Sequence, residues 1–196
     1  MNDEKSKQEI KILKIETNIS SQYIQPFRVF YTQNNKEKNW DFVKIYDNVA
    51  CLLYHTQKEA FLLVKQFRPP VYLNNNRDGF TYEMCAGILD KNKSLKQTMK
   101  EEILEECGYD VAIENIEKIT SCVGFSGSRQ TLYFASIDES MKKQEGGGVE
   151  EEEIELFFLP KNEVKKFMYD ENKTKTPSVL FAIFWFFENK LDLLKK

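Results

Sequence analysis

Histidine is almost missing from this chain: His55 is the only one in 196 residues. The four cysteines, Cys51, Cys85, Cys107 and Cys122, lie far apart and form no C-x-x-C. These two scarcities exclude an ordinary zinc site, which draws its ligands from those residue types. They also exclude any scheme with histidine as base unless His55 itself serves. His55 precedes Thr56-Gln57-Lys58 in what reads as a hairpin turn, so a surface histidine is expected. The unpaired cysteines read as buried thiols in a reducing compartment. Excess positive charge is absent as well: 28 Lys and Arg stand against 31 Asp and Glu, a net charge of −3. No basic field is left to hold nucleic acid by its phosphates, which sets aside decapping or nucleic-acid binding. The longest apolar run, 179–187, is too short to span a bilayer, and residues 1–10 are too polar for a signal peptide. The expectation is a cytoplasmic protein with no membrane partner.

The composition is that of a folded chain, with 41% hydrophobic residues and length enough for one sizeable core and an added subdomain. Residues 1–8 read as a frayed tail. Phe27, Val29 and Tyr31 alternate, a turn follows at Asn34-Asn35-Lys36, and Trp40, Phe42 and Ile45 continue the pattern as a hairpin. A second hairpin joins 49–54 to 60–67 around residues 55–59. Phe67-Arg68-Pro69-Pro70 breaks the strand, 73–79 reads as a polar loop, and 81–86 as one short strand. Further strands are expected at 116–123, 131–137 and 154–159, and a short helix at 162–169. A final helix, with Thr176 as N-cap and Pro177 at N1, is expected to run to about residue 194. Its Phe181, Phe184, Trp185, Phe186 and Phe187 spread over too many faces for a lone surface helix, which implies core plus a dimer contact. The class is α+β: an α/β/α sandwich with a mixed sheet and an N-terminal β extension.

The most informative segment lies between Gly87 and Tyr109. Ser94 with Gln97 is a capping box, and Gly108 supplies the stop. The helix between them carries Glu101, Glu102, Glu105 and Glu106, which at about 100° per residue fall within roughly 140° of arc. None has a Lys or Arg three or four positions away. Glu101/Glu105 and Glu102/Glu106 are like-charge pairs costing about 0.2–0.5 kcal/mol each. Hard cations with oxygen ligands would offset that cost, and a solvated acidic face is the bland alternative.

These residues resemble the Nudix box, Gly-x5-Glu-x7-Arg-Glu-U-x-Glu-Glu-x-Gly-U, where U is a bulky aliphatic. Gly87, Glu102, Ile103, Glu105, Glu106 and Gly108 fall on pattern, and Tyr109 is bulky but aromatic. Lys93 stands where the first Glu belongs, and Glu101 where the Arg belongs. The flanks Asn39-Trp40-Asp41-Phe42-Val43, Val64-Lys65-Gln66-Phe67-Arg68-Pro69-Pro70, Glu83-Met84-Cys85-Ala86-Gly87, Glu105-Glu106-Cys107-Gly108-Tyr109 and Gly127-Ser128-Arg129-Gln130-Thr131 resemble one branch, the UDP-sugar pyrophosphatases, relatives of the ADP-ribose pyrophosphatases. The likeness covers residues 22–188, with 1–47 as a β extension for base stacking and dimerisation and 48–196 as the Nudix hydrolase domain.

The resemblance implies hydrolysis of a nucleoside diphosphate sugar, UDP-glucose foremost, with Mg²⁺ or Mn²⁺ between an acidic helix and an anionic diphosphate. It implies Glu102, Glu105 and Glu106 as metal ligands with the carbonyl of Ala86, and Glu152 as the base. Glu153 or Glu151 takes that role if the register slips along 150–153. Gly146-Gly147-Gly148 would give the base loop mobility to close over substrate. Arg68 and Arg129, with Ser128, would hold phosphate oxygens. Arg28 and Arg77 are the only other arginines, so an arginine in a motif is little expected as filler. Phe27 and Trp40 would stack the base across a homodimer, or else form hairpin core. Lys100, about 100° from Glu101, is a poor replacement for the missing Arg. Lys93 would reach the acidic cluster across the loop–helix junction and partly swap the two charges. The rival readings are an ADP-ribose pyrophosphatase and a non-catalytic nucleotide-sugar sensor, the latter fed by Lys93 and Glu101.

Overall fold

The computed structural model describes residues 10–16, 20–75, 78–90, 92–149 and 152–194. The expected tail at 1–8, and Glu150 and Glu151 of the base loop, lie outside them. The chain forms two compact units, 1–45 and 46–196.

In the first unit, β1 (Gln25–Gln33) pairs antiparallel with β2 (Lys36–Lys44). Asn34 and Asn35 both take positive φ, 54° and 57°, the geometry of a two-residue turn that matches strand twist. The register places Phe27 opposite Phe42 and Val29 opposite Trp40, so one face of the hairpin is aromatic and apolar. Phe27 and Phe42 stack with centroids 5.5 Å apart. Arg28 and Asp41 pair on the other face. Neither Phe27 nor Trp40 is hairpin core, at 45% and 65% exposure.

The second unit is a seven-stranded mixed sheet between helices. Its centre is β3 (Asn48–His55), which runs parallel to β8 (Arg129–Ile137) and antiparallel to β4 (Ala60–Phe67). The residues of β3 alternate between two cores. Val49, Cys51 and Leu53 face α2 (Leu95–Glu102) with Met99 and Ile103, while Ala50, Leu52 and Tyr54 face α3 (Val164–Tyr169) and α4 (Pro177–Asn189) with Phe167, Ile183 and Phe186. A strand covered on both faces has no polar face to show, hence its unbroken apolar run. The expected α+β sandwich is what the chain builds, and no helix among the described residues is long and apolar enough to cross a membrane.

Beyond Leu53 and Leu62, towards the start of β3 and the end of β4, the two strands separate. In the fork β5 (Phe80–Glu83) takes over the edge of β4, and β6 (Cys85–Ile88) takes over the edge of β3. The single strand expected at 81–86 is thus two, parted at Met84, because each half pairs with a different neighbour. β7 (Glu117–Val123) and β9 (Glu155–Pro160) complete the sheet against β8 and β4.

Three further expectations change. Pro69 and Pro70 open a helix, α1 (Pro69–Asn75), in place of the expected loop. Proline lacks only an N–H that the first helical turn leaves unused, and the Arg68 carbonyl accepts from Val71 and Tyr72. The last helix stops at Asn189 and resumes as α5 (Leu191–Leu194). Lys190 between them leaves the helical region, pairs with Glu117 and lies over the rings of Phe134 and Trp185. His55 is no surface residue but fully buried. The strand continues through it against Ala60 and Ile137, and its ring meets Tyr109 and Phe158 edge-on. Its Nδ1 accepts from the Lys58 N–H, which leaves Nε2 to donate to Glu139. Burial and Lys58 push its pKa below the ordinary histidine value, which leaves it neutral, and its full burial keeps it from reaching a substrate.

Candidate active site

Register alone gathers the loops of this site. Asn48 at the start of β3 faces Ile88 at the end of β6 and Gln130 at the start of β8. Phe67 at the end of β4 faces Phe80, and Lys65 faces Glu155 at the start of β9. One end of the sheet therefore carries Arg68, the loop after β6, the β7–β8 loop with Ser128 and Arg129, and the segment with Glu152. Asp47 ties two of these together: Oδ1 accepts from the Arg129 N–H at 2.8 Å, and its carbonyl accepts from Leu89.

The acidic helix lies over this end. Ser94 caps it, Oγ accepting from the Gln97 N–H. The return half of the capping box is not made; Gln97 donates instead to Glu101 at 3.0 Å. α2 ends at Glu102, and Ile103–Cys107 widens into a π-helical turn closed by Gly108 at φ 83°. The four glutamates therefore straddle the junction of an α-helix and a π-turn, and a uniform 100° per residue does not hold across them. Glu101 points to Lys93, with which it pairs. Glu106 turns inward and is 5% exposed. π-turns of this kind recur at functional sites because they re-aim side chains without breaking the helix.

Glu106 Oε2 accepts from the Ala86 N–H at 3.0 Å. In an antiparallel strand a residue's N–H and C=O share an edge, so the Ala86 carbonyl faces the fork too. Burial raises the Glu106 carboxyl to about 8 against the lowering effect of Cys85 and the Ala86 N–H, with Glu102 and Glu152 adding their charge. Glu102 lies directly on β6: a Cβ at Gly87 would stand 2.1 Å from its Oε1. Only a glycine lets the carboxylate come so close to the strand. Glu105 is half-buried beside them. Among the described residues no three Asp, Glu, His or Cys side chains form a ready-made cluster, as mutually repelling anions would not. The donors still fit a hard divalent ion: a buried carboxylate under like charge, a second beside it, and a strand carbonyl on the same edge.

Arg68 sits where the field of Glu106 and Glu152 reaches it, but its guanidinium already grips Glu83 at 2.8 and 2.6 Å. Thr81 also donates to Glu83. Ser128 bonds Ser126 through their hydroxyls, and its carbonyl accepts from Gly124, so Arg129 projects from a braced loop. Glu152 is exposed, and its Oε2 accepts from the Val149 N–H at 3.1 Å; Glu153 is exposed beside it. Phe27 and Trp40 belong to the other unit. Sequence reasoning misses Glu83 and Asp47 as site residues. The only signal for Glu83 is its place at the head of the motif ending in Gly87.

The two departures from the box form a reversed ion pair. Lys93, eight residues before Glu101, neutralises it, while Lys100 pairs with Asp110 at 2.8 Å. Lys93→Glu or Glu101→Lys alone should each cost about 0.2–1 kcal/mol, the range for part-exposed pairs. The double exchange should recover most of it in urea denaturation. Equal and additive losses would deny the pairing.

A family model for the NUDIX domain matches residues 44–179. The chain belongs to the Nudix family. This Nudix protein is 35% identical to the uridine diphosphate glucose pyrophosphatase NUDT14 of Bos taurus, over 86% of this chain and 90% of that one. With the Mus musculus protein of the same name it shares 33%, over 85% and 89%. With the GDP-mannose pyrophosphatase of Pectobacterium atrosepticum it shares 37%, over 71% and 76%.

Proposed function

We propose that this Nudix protein is a divalent-cation-dependent pyrophosphatase of nucleoside diphosphate sugars, with UDP-glucose cleaved to UMP and glucose 1-phosphate. The observation that carries this reading is the buried Glu106 carboxylate, bonded to Ala86 and set under the charge of Glu102 and Glu152. A buried carboxyl whose ionisation is opposed by burial and by neighbouring anions is ready to ionise onto a cation, and an anionic diphosphate needs the same cation to approach them. Mg²⁺ or Mn²⁺ bound there would polarise a phosphoryl oxygen and acidify water. Glu102, Glu105, Glu106 and the Ala86 carbonyl would hold it. Glu152 accepts the proton of the water that attacks one phosphorus. Arg68, with Glu83 fixing its plane, and Arg129 meet the phosphate oxygens.

Phe27 and Trp40 offer a stacking face for the nucleobase. The same apolar face favours a homodimer, because a lone two-stranded hairpin is marginal in water. All four cysteines are free, which supports a reducing, cytoplasmic setting. The sensor reading draws on Lys93 and Glu101, and these neutralise each other while Glu102, Glu105 and Glu106 keep their places on the Nudix pattern. ADP-ribose remains the rival substrate, and GDP-mannose joins it through the relatives bearing that name.

Product analysis with UDP-glucose, GDP-mannose and ADP-ribose, each with Mg²⁺ and with EDTA, tests the reading. The expected result is Mg²⁺-dependent UMP and glucose 1-phosphate, formed faster than the products of the other two. Faster release of GMP or AMP would keep the chemistry and change the substrate. No cleavage of any would overturn the proposal.

A further inference from the structure

Three consecutive glycines before the base suggest a slack hinge, but their geometry is that of a fastening. Gly146, Gly147 and Gly148 all have positive φ, at 74°, 107° and 89°. L-residues avoid a run of three such conformations, so glycine is required here for shape. The segment lies across the end of the acidic helix and donates to carbonyls of its last turn. Gln144 Nε2 donates to the Leu104 carbonyl at 2.8 Å. The Gly147 N–H donates to Glu106 O at 2.8 Å and the Gly148 N–H to Glu105 O at 3.3 Å. The approach is close from both sides: a Cβ on Gly146 would stand 2.5 Å from Glu106 O, and one on Gly108 would stand 2.1 Å from Gln144 O.

The far end of the segment holds Glu152. A Cβ on Gly148 would stand 2.6 Å from Glu152 Cβ. The Glu152 N–H and carboxylate both bond Val149, and Ile154 N–H donates to Gly147 O. Backbone of the same few residues thus touches the Glu105–Glu106 peptides at one side and Glu152 at the other.

We propose that residues 144–148 are a strap that sets the position of Glu152 relative to Glu105 and Glu106, making Gln144 and the three glycines positioning residues for the reaction. This rests on Glu152 being the base. A strap keeps the reach of the base fixed; a slack loop would tolerate any change in length.

The test inserts one glycine between Gly148 and Val149 in the full chain, outside the strap's bonds to the helix, and so lengthens the path to the base. Gly147→Ala is the second variant. The space there is open, its nearest neighbour being Ile154 O at 3.7 Å, so only the φ requirement is violated. For both, kcat towards the nucleotide sugar should fall on the order of 10²-fold, the scale of an ångström-size misplacement, while KM stays near wild type; the strained alanine also lowers the thermal midpoint by a few degrees without unfolding the chain. Should the insertion prevent folding, Gly147→Ala decides. Wild-type kcat in the deciding variant overturns the strap. Glu152→Gln, measured in parallel, separates the two ideas. Loss of activity there with a tolerated insertion leaves the base standing and removes the strap. Full activity of Glu152→Gln removes both.

Discussion

Glu106→Gln should abolish cation-dependent turnover, with a loss well beyond the roughly 10–100-fold that disturbing an outer-shell partner of a metal site costs. Glutamine keeps the shape of the side chain and an oxygen to accept from the Ala86 N–H. What it removes is the charge that burial and the neighbouring Glu102 and Glu152 make costly. The variant should therefore be at least as stable as the parent when both are melted in EDTA, since the parent must either carry that charge or hold the carboxyl protonated, at a cost, up to about pH 8. The two readouts move in opposite directions, which separates a ligand from a structural carboxylate. Turnover near wild type at saturating Mg²⁺ would remove Glu106 from the site. A lower melting point together with lost activity would mean that the carboxylate holds the π-turn in place instead.

The second large effect is expected at Glu152. Replacing a positioned general base by its amide costs about 10²–10⁴-fold in kcat, and KM for the nucleotide sugar should change little because the arginines and the stacking face are untouched. Glu152 is exposed, and its bonds among the described residues stay within its own segment, so the fold has little to lose. Glu153→Gln is the companion measurement. If it removes activity while Glu152→Gln does not, the base is one residue further along, and the strap delivers a different carboxylate. Single-turnover measurement is the right assay, because it isolates the chemical step from product release.

Features set by neighbouring residues are legible in the sequence. Alternation marks the two hairpins, the double asparagine marks the first turn, and Ser94 and Gly108 mark the ends of the acidic segment. The Nudix pattern and its flanks point to the residues that register brings to one sheet end. What the sequence hides depends on contacts between segments far apart along the chain. Glu106 is buried because the helix widens to a π-turn beneath residues 144–148, and no pattern within the helix announces that. Arg68 meets Glu83 only because β4 and β5 pair across the fork. His55 looks like a surface residue because turn residues follow it, yet parallel pairing with β8 extends the strand through it. Pro69 and Pro70 look like breakers, although proline is as suited to opening a helix as to ending a strand. The glycine triplet reads as freedom in the sequence, and its run of positive φ and its bonds to the helix end appear only in three dimensions.

The underside of the acidic helix has a consequence for anyone watching this protein breathe. Cys51 and Cys85 face each other across β3 and β6, Cys107 sits in the π-turn, and all three are sealed from solvent, whereas Cys122 is exposed on β7. A thiol reagent meets Cys122 at once but reaches the other three only when the sheet fork and the helix above it part. Their modification rates are thus a clock on that opening, with Cys122 as its zero. Slowing of the clock by Mg²⁺, or by a nucleotide sugar in EDTA, would record how firmly each closes the fork, independently of turnover.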